Sequence, residues 1–193
     1  ADNKVLTDVS GNVKIDHVDF SYVPEKELIK DLNLDVKSGQ QIAIVGPTGC
    51  GKTTIINLLM RFYDTDKGGI SVDGNNIKDV TRDSLRLSYG MVLQETWIFK
   101  GTVRENLIFD KKVNKNALDS VMEDAEIKDF IDKNEEGYDF KVEQSAVNLS
   151  GGQKQRMSIA RALLSGGECL LFDDSFSAVD YITDKKIRKS IAK

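Results

Sequence analysis

The run Gly46-Pro-Thr-Gly-Cys-Gly-Lys52-Thr53 constrains this chain more than any other stretch. It fits the pattern G-x-x-x-x-G-K-[ST], and its flanks are of the kind that give the pattern meaning. The apolar run Gln41-Ile-Ala-Ile-Val45 leads in as an expected short strand, and Thr54 to Phe62 follows with Ile55, Leu58, Leu59 and Phe62 at helical spacing. A glycine loop that opens a helix turns successive backbone N–H groups toward one point, at the helix end that attracts anions. Gly46, Pro47, Thr48, Gly49, Cys50, Gly51, Lys52, Thr53 and Thr54 are therefore expected to surround phosphate groups. Lys52 would reach the β- and γ-phosphates, and the Thr53 hydroxyl would take Mg²⁺.

The rest of the chain reads as α/β. Val13, Ile15, Val18 and Phe20 mark a first strand, and Leu32, Leu34 and Val36 repeat at period two in a second. Pro24 and Ser38-Gly39 mark turns, and Ile70-Ser-Val-Asp73 is a further strand closed by Gly74. Gly90-Met-Val-Leu93 reads as a short buried strand ending on Gln94. Thr102 to Asp132 reads as helices, a helical insert in the α/β order. Ser150 is a good N-cap for a long helix carrying Ile159, Ala162 and Leu163, which Gly166-Gly167 ends. Cys169-Leu-Leu-Phe172 reads as a buried strand ending at Asp173-Asp174, and the chain runs out in a last helix at Lys193.

Composition narrows the function. A net charge of −4 with both signs interspersed argues against a dedicated nucleic-acid binder, which would show a basic surplus. The two cysteines, Cys50 and Cys169, have no metal-ligand or CxxC spacing, so a reduced intracellular setting is expected. No apolar run approaches the roughly 20 residues that span a bilayer, and the first residues carry no signal-peptide pattern.

Asp173, at the end of an apolar strand, supplies the acid that the phosphate loop needs for a second hold on Mg²⁺. The guanine reader Asn-Lys-x-Asp is absent, which argues against a GTPase. The decisive run is Leu149-Ser-Gly-Gly-Gln153, followed by Lys-Gln-Arg-Met-Ser-Ile-Ala-Arg161. A helix N-terminus led by Ser-Gly-Gly is an anion site on physical grounds. Here the sequence resembles the ATP-binding-cassette (ABC) ATPases, whose signature is this pentapeptide at a helix start.

The resemblance covers nearly the whole chain and implies the rest. Ser150, Gly151, Gly152 and Gln153 would touch the γ-phosphate of ATP held by a partner's glycine loop, in a head-to-tail dimer of two ABC domains. Tyr22, in Phe20-Ser-Tyr22, looks like the aromatic that stacks on adenine. Gln94 matches the glutamine that touches Mg²⁺ and the attacking water and senses a transmembrane partner. Ser177-Ala-Val-Asp180 resembles the loop that crosses the dimer interface. Arg61-Phe-Tyr-Asp64, Thr96-Trp-Ile-Phe99, Gly101-Thr-Val-Arg-Glu-Asn106 and Gly137-Tyr-Asp139 resemble the exporter branch. The implied fold is a P-loop NTPase core with a mixed sheet, an N-terminal antiparallel β-subdomain and a helical subdomain. The implied organisation is one ABC domain over 1–193: about 1–99 and 166–193 form the core and β-subdomain, and about 100–165 the helical subdomain. Its place would be the cytoplasmic face of a membrane, with a transmembrane domain upstream in the parent protein.

Three departures from the family pattern carry consequences. The family places Glu, the general base for the attacking water, where this chain has Asp174. A side chain one methylene shorter withdraws the carboxylate by about 1 Å, a misplacement that costs on the order of 100-fold. Asp173-Asp174 beside an intact signature resembles the impaired subunit of heterodimeric exporters; a slow homodimer, and an ATP-gated module with little turnover, are the other readings. The family's switch histidine lies beyond Asp180 on a strand this sequence does not reach, so a C-terminally shortened chain is expected; the lone His17 is out of register for it and reads as a surface or packing residue. Finally, Ser145 and Ala146 stand where exporters carry glycine in a Glu-containing segment that contacts the membrane domains, here retaining Glu143. Cys50 would block the nucleotide if its thiol carried a bulky adduct, whereas Cys169 reads as inert core.

Overall fold

A computed structural model describes residues 4–109 and 112–192. The chain divides into two compact units, residues 1–89 with 167–173, and residues 90–166 with 174–193.

The first unit is built on an antiparallel sheet. Strand β1 (Val13–Phe20) pairs on one side with β2 (Ile29–Val36) and on the other with β3 (Lys67–Val72), which pairs with the short β4 (Asn75–Asn76) after the Asp73-Gly74 turn. Val13 stands opposite both Val36 and Val72, and Ile15 opposite Leu34 and Ile70, so one face is continuously aliphatic. The apolar positions of β1 change phase between Ile15 and Val18, and the structure gives the reason. A bulge sits there, with His17 at φ 49, so Val18 and Phe20 return to the buried face. Gly68 makes the bulge possible: a Cβ there would lie 2.2 Å from the His17 carbonyl. Between β2 and β3 runs helix α1 (Lys52–Leu59), which buries Ile55, Ile56, Leu58 and Leu59. Helix α2 (Arg82–Leu87) follows β4, capped by the Thr81 hydroxyl on the Ser84 N–H.

Three expectations for this unit are corrected. Gln41–Val45 forms no strand: Ile42, Ile44 and Val45 are 49%, 43% and 87% exposed. A strand is held by ladder bonds to its neighbours, and among the described residues none pairs with this segment, so apolar content alone does not order it. Helix α1 stops at Leu59, leaving Phe62 exposed under the Arg86 guanidinium, 4.8 Å from its ring centre. The Cys169–Phe172 strand is half-buried along its length rather than buried.

The second unit takes over within β5 (Tyr89–Val92), which is buried except at Met91. The strand stops at Val92, one residue before the expected Leu93, which is exposed. Two-residue strands β6 (Gly101–Thr102) and β7 (Lys141–Val142) pair and frame the helices α3 (Val103–Ile108), α4 (Lys115–Asp124) and α5 (Lys128–Asp132). These are the helices expected over 102–132. Helix α6 (Gly151–Leu164) packs on α3 and α4, with Leu107, Leu118, Met122, Met157 and Ile159 fully buried among them. Arg161 on α6 donates from Nε to the Asn106 carbonyl and from Nη1 to the Trp97 carbonyl, both at 2.8 Å. In the first unit, β8 (Cys169–Phe172) is anchored by the Cys169 N–H on the Ser88 carbonyl. Helix α7 (Tyr181–Ile191) ends the second unit; the expected end of a helix at Lys193 lies outside the described residues. Among the described residues no helix is long and apolar enough to cross a membrane.

Candidate functional site

The glycine loop is built as its sequence requires. Gly49 and Gly51 take φ of +83 and +100, where an L side chain is strained, and Gly51 is the N-cap of α1. No side chain caps this helix and its first turn holds no acid, so its opening N–H groups have no internal side-chain partner. A Cβ on Gly46 would come within 2.6 Å of the Cys50 thiol, so that side chain would have to turn aside. Lys52 curls back over its own loop, donating to the carbonyls of Gly46 at 2.7 Å and Pro47 at 2.9 Å. Its ammonium thus sits at the mouth of the loop, bound to neutral groups that a phosphate oxygen outcompetes as a charged acceptor. Pro47, Thr48 and Cys50 are exposed, whereas Thr54 is buried.

The acid at the end of β8 meets the loop. Thr53 Oγ1 donates to Asp173 Oδ2 at 2.9 Å, across 120 positions of sequence. A hydroxyl and a carboxylate oxygen at that spacing are hard donors that suit Mg²⁺. Among the described residues there is no cluster of three or more His, Cys, Asp or Glu that would cage a metal alone. Tyr22 lies in the same unit, 46% exposed, and its hydroxyl accepts from Asn57 Nδ2 at 3.1 Å.

In the second unit, Ser150 caps α6 with a complete capping box: its Oγ accepts from the Gln153 N–H at 3.1 Å, and Gln153 Oε1 accepts from the Ser150 N–H at 2.8 Å. Gly151 and Gly152 are there because the 177–180 loop comes close. A Cβ on Gly152 would lie 3.0 Å from the Ala178 carbonyl, and one on Gly151 would lie 3.3 Å from the Ala178 methyl. Ser150, Gly151, Gly152, Arg156, Ala178, Val179 and Asp180 line a cavity of 430 Å³. Asp180 caps α7 by accepting from the Thr183 N–H, and its hydrogen bonds to Thr183 hold its carboxyl below the usual range.

Gln94 is exposed on the bend after β5. Asp174 is exposed as well, with φ at +45, a backbone region that Asp tolerates better than most residues. The neighbouring Ser175 is buried and donates to the Val92 carbonyl at 2.7 Å, tying the segment after Asp174 to the strand end before Gln94.

Several residues outside the sequence motifs hold these pieces. Gln155, 5% exposed, donates to Ser177 Oγ and accepts from the Ala178 N–H at 2.8 Å, stapling the 177–180 loop to α6. A glutamine among the polar residues that open this helix gives no sequence signal of such a contact. Ser145 and Ala146 both have positive φ, 58 and 51. Residues standing where glycine is expected have therefore kept the glycine-like backbone. His17, as expected, is a surface residue: Asp31, 2.6 Å away, raises its pKa by hydrogen bonding and charge. Burial pushes the Cys169 thiol up to about 11, which keeps it protonated and unreactive.

The geometry is that of a nucleoside-triphosphate site of the P-loop kind, and the comparisons give its family. The model of the ABC transporter family matches residues 29–177. Over 189 residues the chain is 41% identical to an uncharacterized ABC transporter ATP-binding protein of Sinorhizobium fredii, covering 97% of this chain and 32% of that protein. It is 39% identical over 187 residues to a fatty acid ABC transporter ATP-binding/permease protein of Mycobacterium bovis, covering 96% of this chain and 30% of the relative. The solved structure of a bacterial Atm1-family ABC exporter with ATP bound superposes with a TM-score of 0.91 at 38% identity, over 98% of this chain and 34% of that one. The chain belongs to the ABC transporter family, as a nucleotide-binding domain of exporter type. Its fold is the expected α/β one, a P-loop NTPase core with antiparallel β and helical parts. The chain spans about a third of the length of the curated relatives it matches.

Proposed function

We propose that this chain binds and hydrolyses MgATP as the cytosolic motor of an ABC exporter. It would close head-to-tail on a second ABC domain and so drive transport through a transmembrane domain elsewhere in the parent protein. The observation that carries this reading is the Thr53–Asp173 contact next to Lys52, since it brings two hard oxygen donors to the helix start that carries the lysine ammonium. In this reading 1–193 is one ABC domain, with about 1–99 and 166–193 as core and β-subdomain and about 100–165 as the helical subdomain. It works at the cytoplasmic face of the membrane, with no nucleic-acid partner.

The roles follow from chemistry. Gly46 to Thr54 wrap the phosphates, with Lys52 leaving the Gly46 and Pro47 carbonyls for phosphate oxygens. Thr53 and Asp173, with Gln94 as the family resemblance implies, would hold Mg²⁺, which would supply the charge that neutralises phosphoryl oxygens. Tyr22 stacks on the base. Ser150, Gly151, Gly152 and Gln153 face the γ-phosphate of the nucleotide on the partner, where the N–H groups of Gly151 and Gly152 remain outside the capping box. Asp174 orients the attacking water, from further back than a Glu would. That shortfall supports a heterodimer in which a Glu-bearing partner carries the competent site, with a slow homodimer as the other form. A module that dimerises on ATP and scarcely turns over is the second reading, favoured by the same carboxylate.

MgATP turnover, measured for the unaltered chain and Asp174→Glu, each alone and with a Glu-bearing partner domain, tests this. Turnover rising toward about 100-fold in the variant is expected if the short carboxylate limits the reaction. Bound MgATP with no turnover in any combination would reject the motor reading and leave the ATP-gated module.

A further inference from the structure

Three aromatic rings, Phe20, Tyr22 and Tyr63, gather in one cluster. Tyr22 meets Phe20 at 4.9 Å and Tyr63 at 5.0 Å between ring centres, both near-perpendicular at 86° and 85°. Phe20 and Tyr63 lie 5.7 Å from each other. Those three distances make a nearly equilateral triangle. Phe20 and Tyr63 therefore crowd one sector around Tyr22 rather than sandwiching it, because partners stacked directly on its two faces would stand about twice as far apart. The opposite side of Tyr22 is then free of them, in accord with its 46% exposure. At its far end the ring is pinned by the Asn57 amide, which donates to Tyr22 Oη at 3.1 Å.

Asn57 stands on α1, the helix that begins with Lys52 and Thr53. Its own carbonyl accepts from the Phe62 N–H at 2.9 Å, fixing the turn that delivers Tyr63. One short helix thus carries the Lys52 ammonium at its start, the hydrogen bond to Tyr22 in its middle, and the second tyrosine just beyond its end. In a nucleotide the base and the phosphates are joined through ribose, so the span between a base-stacking ring and a phosphate loop has to be held. Edge-on aromatic neighbours and a hydroxyl tether are the means available to hold a ring that is half in solvent.

We infer that Asn57 and Tyr63 are positioning residues for base recognition, holding the free face of Tyr22 at the distance from Lys52 that a nucleoside triphosphate requires. This rests on the nucleotide-site reading above and extends it to two residues outside the motifs. Both lie outside the phosphate loop, so their effect is expected to be confined to ligands that carry a base.

The test is calorimetric titration of the intact chain with MgATP and, separately, with magnesium tripolyphosphate, which has the phosphates and no base. Asn57→Leu and Tyr63→Leu are expected each to weaken MgATP about five- to tenfold, the scale of a lost aromatic or hydrogen-bond contact, and to leave tripolyphosphate unchanged. Tyr63→Phe keeps the ring and is expected to bind both ligands as the unaltered chain does. Unchanged tripolyphosphate binding also reports that each variant is folded. Equal losses for both ligands would overturn the inference, since the residues would then be supporting the loop itself. Unaltered MgATP affinity in both Leu variants would overturn it while leaving the nucleotide-site reading intact. Failure of the unaltered chain to bind MgATP would overturn the two together.

Discussion

Two helices open the two halves of the proposed chemistry, and they open differently. Helix α1 starts from Gly51 in a left-handed conformation, with no capping side chain and no acid in its first turn. Helix α6 starts from Ser150 with both arms of a capping box closed. The first helix end is left to be completed by something else, while the second is complete in itself and reserves only the N–H groups of its two glycines. The reason for glycine differs as well: at 49 and 51 it is positive φ, and at 151 and 152 it is the closeness of Ala178. The lesson is that one residue pattern, glycines before a helix, serves as a ligand cradle in one case and as a close-packing surface in the other.

Experiments can pull this comparison apart. The largest effect is expected at Lys52: Lys52→Ala removes the cation at the start of α1 and should lower MgATP binding or turnover on the order of 100-fold, as read by titration and phosphate release. A change below about threefold would mean that the α1 end does not depend on a charged ligand. Next come the two helix starts themselves. Gly51→Ala forces a Cβ into left-handed backbone and should cost about 1–2 kcal/mol in denaturant unfolding, with weakened MgATP binding besides. Ser150→Ala removes one arm of the capping box and should cost about 1 kcal/mol. At concentrations where the chain is a monomer, MgATP should protect Ser150→Ala as fully as the unaltered chain. Protection lost in Ser150→Ala but kept in Gly51→Ala would reverse the assignment of the two ends.

Smaller effects sharpen the picture around the signature. Ser145 holds φ 58 just before α6, so Ser145→Gly should stabilise the chain by about 0.5 kcal/mol in thermal or denaturant unfolding, the relieved left-handed strain being partly offset by glycine's freedom in the unfolded chain. Destabilisation instead would show that the Ser145 side chain carries a contact of its own. The smallest is a pH effect in the first unit. Burial raises the Asp73 pKa, but hydrogen bonds from the Asn12 side chain and the N–H groups of Asn12, Ser10 and Gly11 outweigh it, leaving the carboxyl below its ordinary 3.8. A depressed carboxyl contributes stability that is present above the unfolded value and lost as pH falls through the folded one. Asp73→Asn should therefore be less stable than the unaltered chain near neutrality, the gap narrowing below pH 3.8. A gap that stays constant down to the acid limit would assign the loss to packing rather than charge.

Much of this is legible in the sequence because the informative residues are held by local rules. Ser150 as an N-cap, the glycine-to-lysine loop, and the aliphatic alternation of β1 and β2 each follow from backbone and burial preferences within a few residues. What the sequence conceals depends on partners far along the chain or on an absent ladder. Apolar content misleads at Ile42, Ile44 and Val45, because periodicity reports what a segment could bury and not what pairs with it. The bulge at His17 is visible only as a slip of phase between Ile15 and Val18. Gln155 and Asn57 look like ordinary polar helix positions, and their use is set by Ala178 and Tyr22, which lie 23 and 35 positions away.

The most direct test of the central claim is titration of the intact chain with ATP in the presence of Mg²⁺ and, separately, in excess chelator, with Thr53→Val alongside. The account predicts saturable binding with Mg²⁺, weaker binding once the metal is withdrawn, and a smaller response to metal in Thr53→Val than in the unaltered chain. Saturable ATP binding that ignores both the metal and Thr53, or no saturable binding at all, would contradict it.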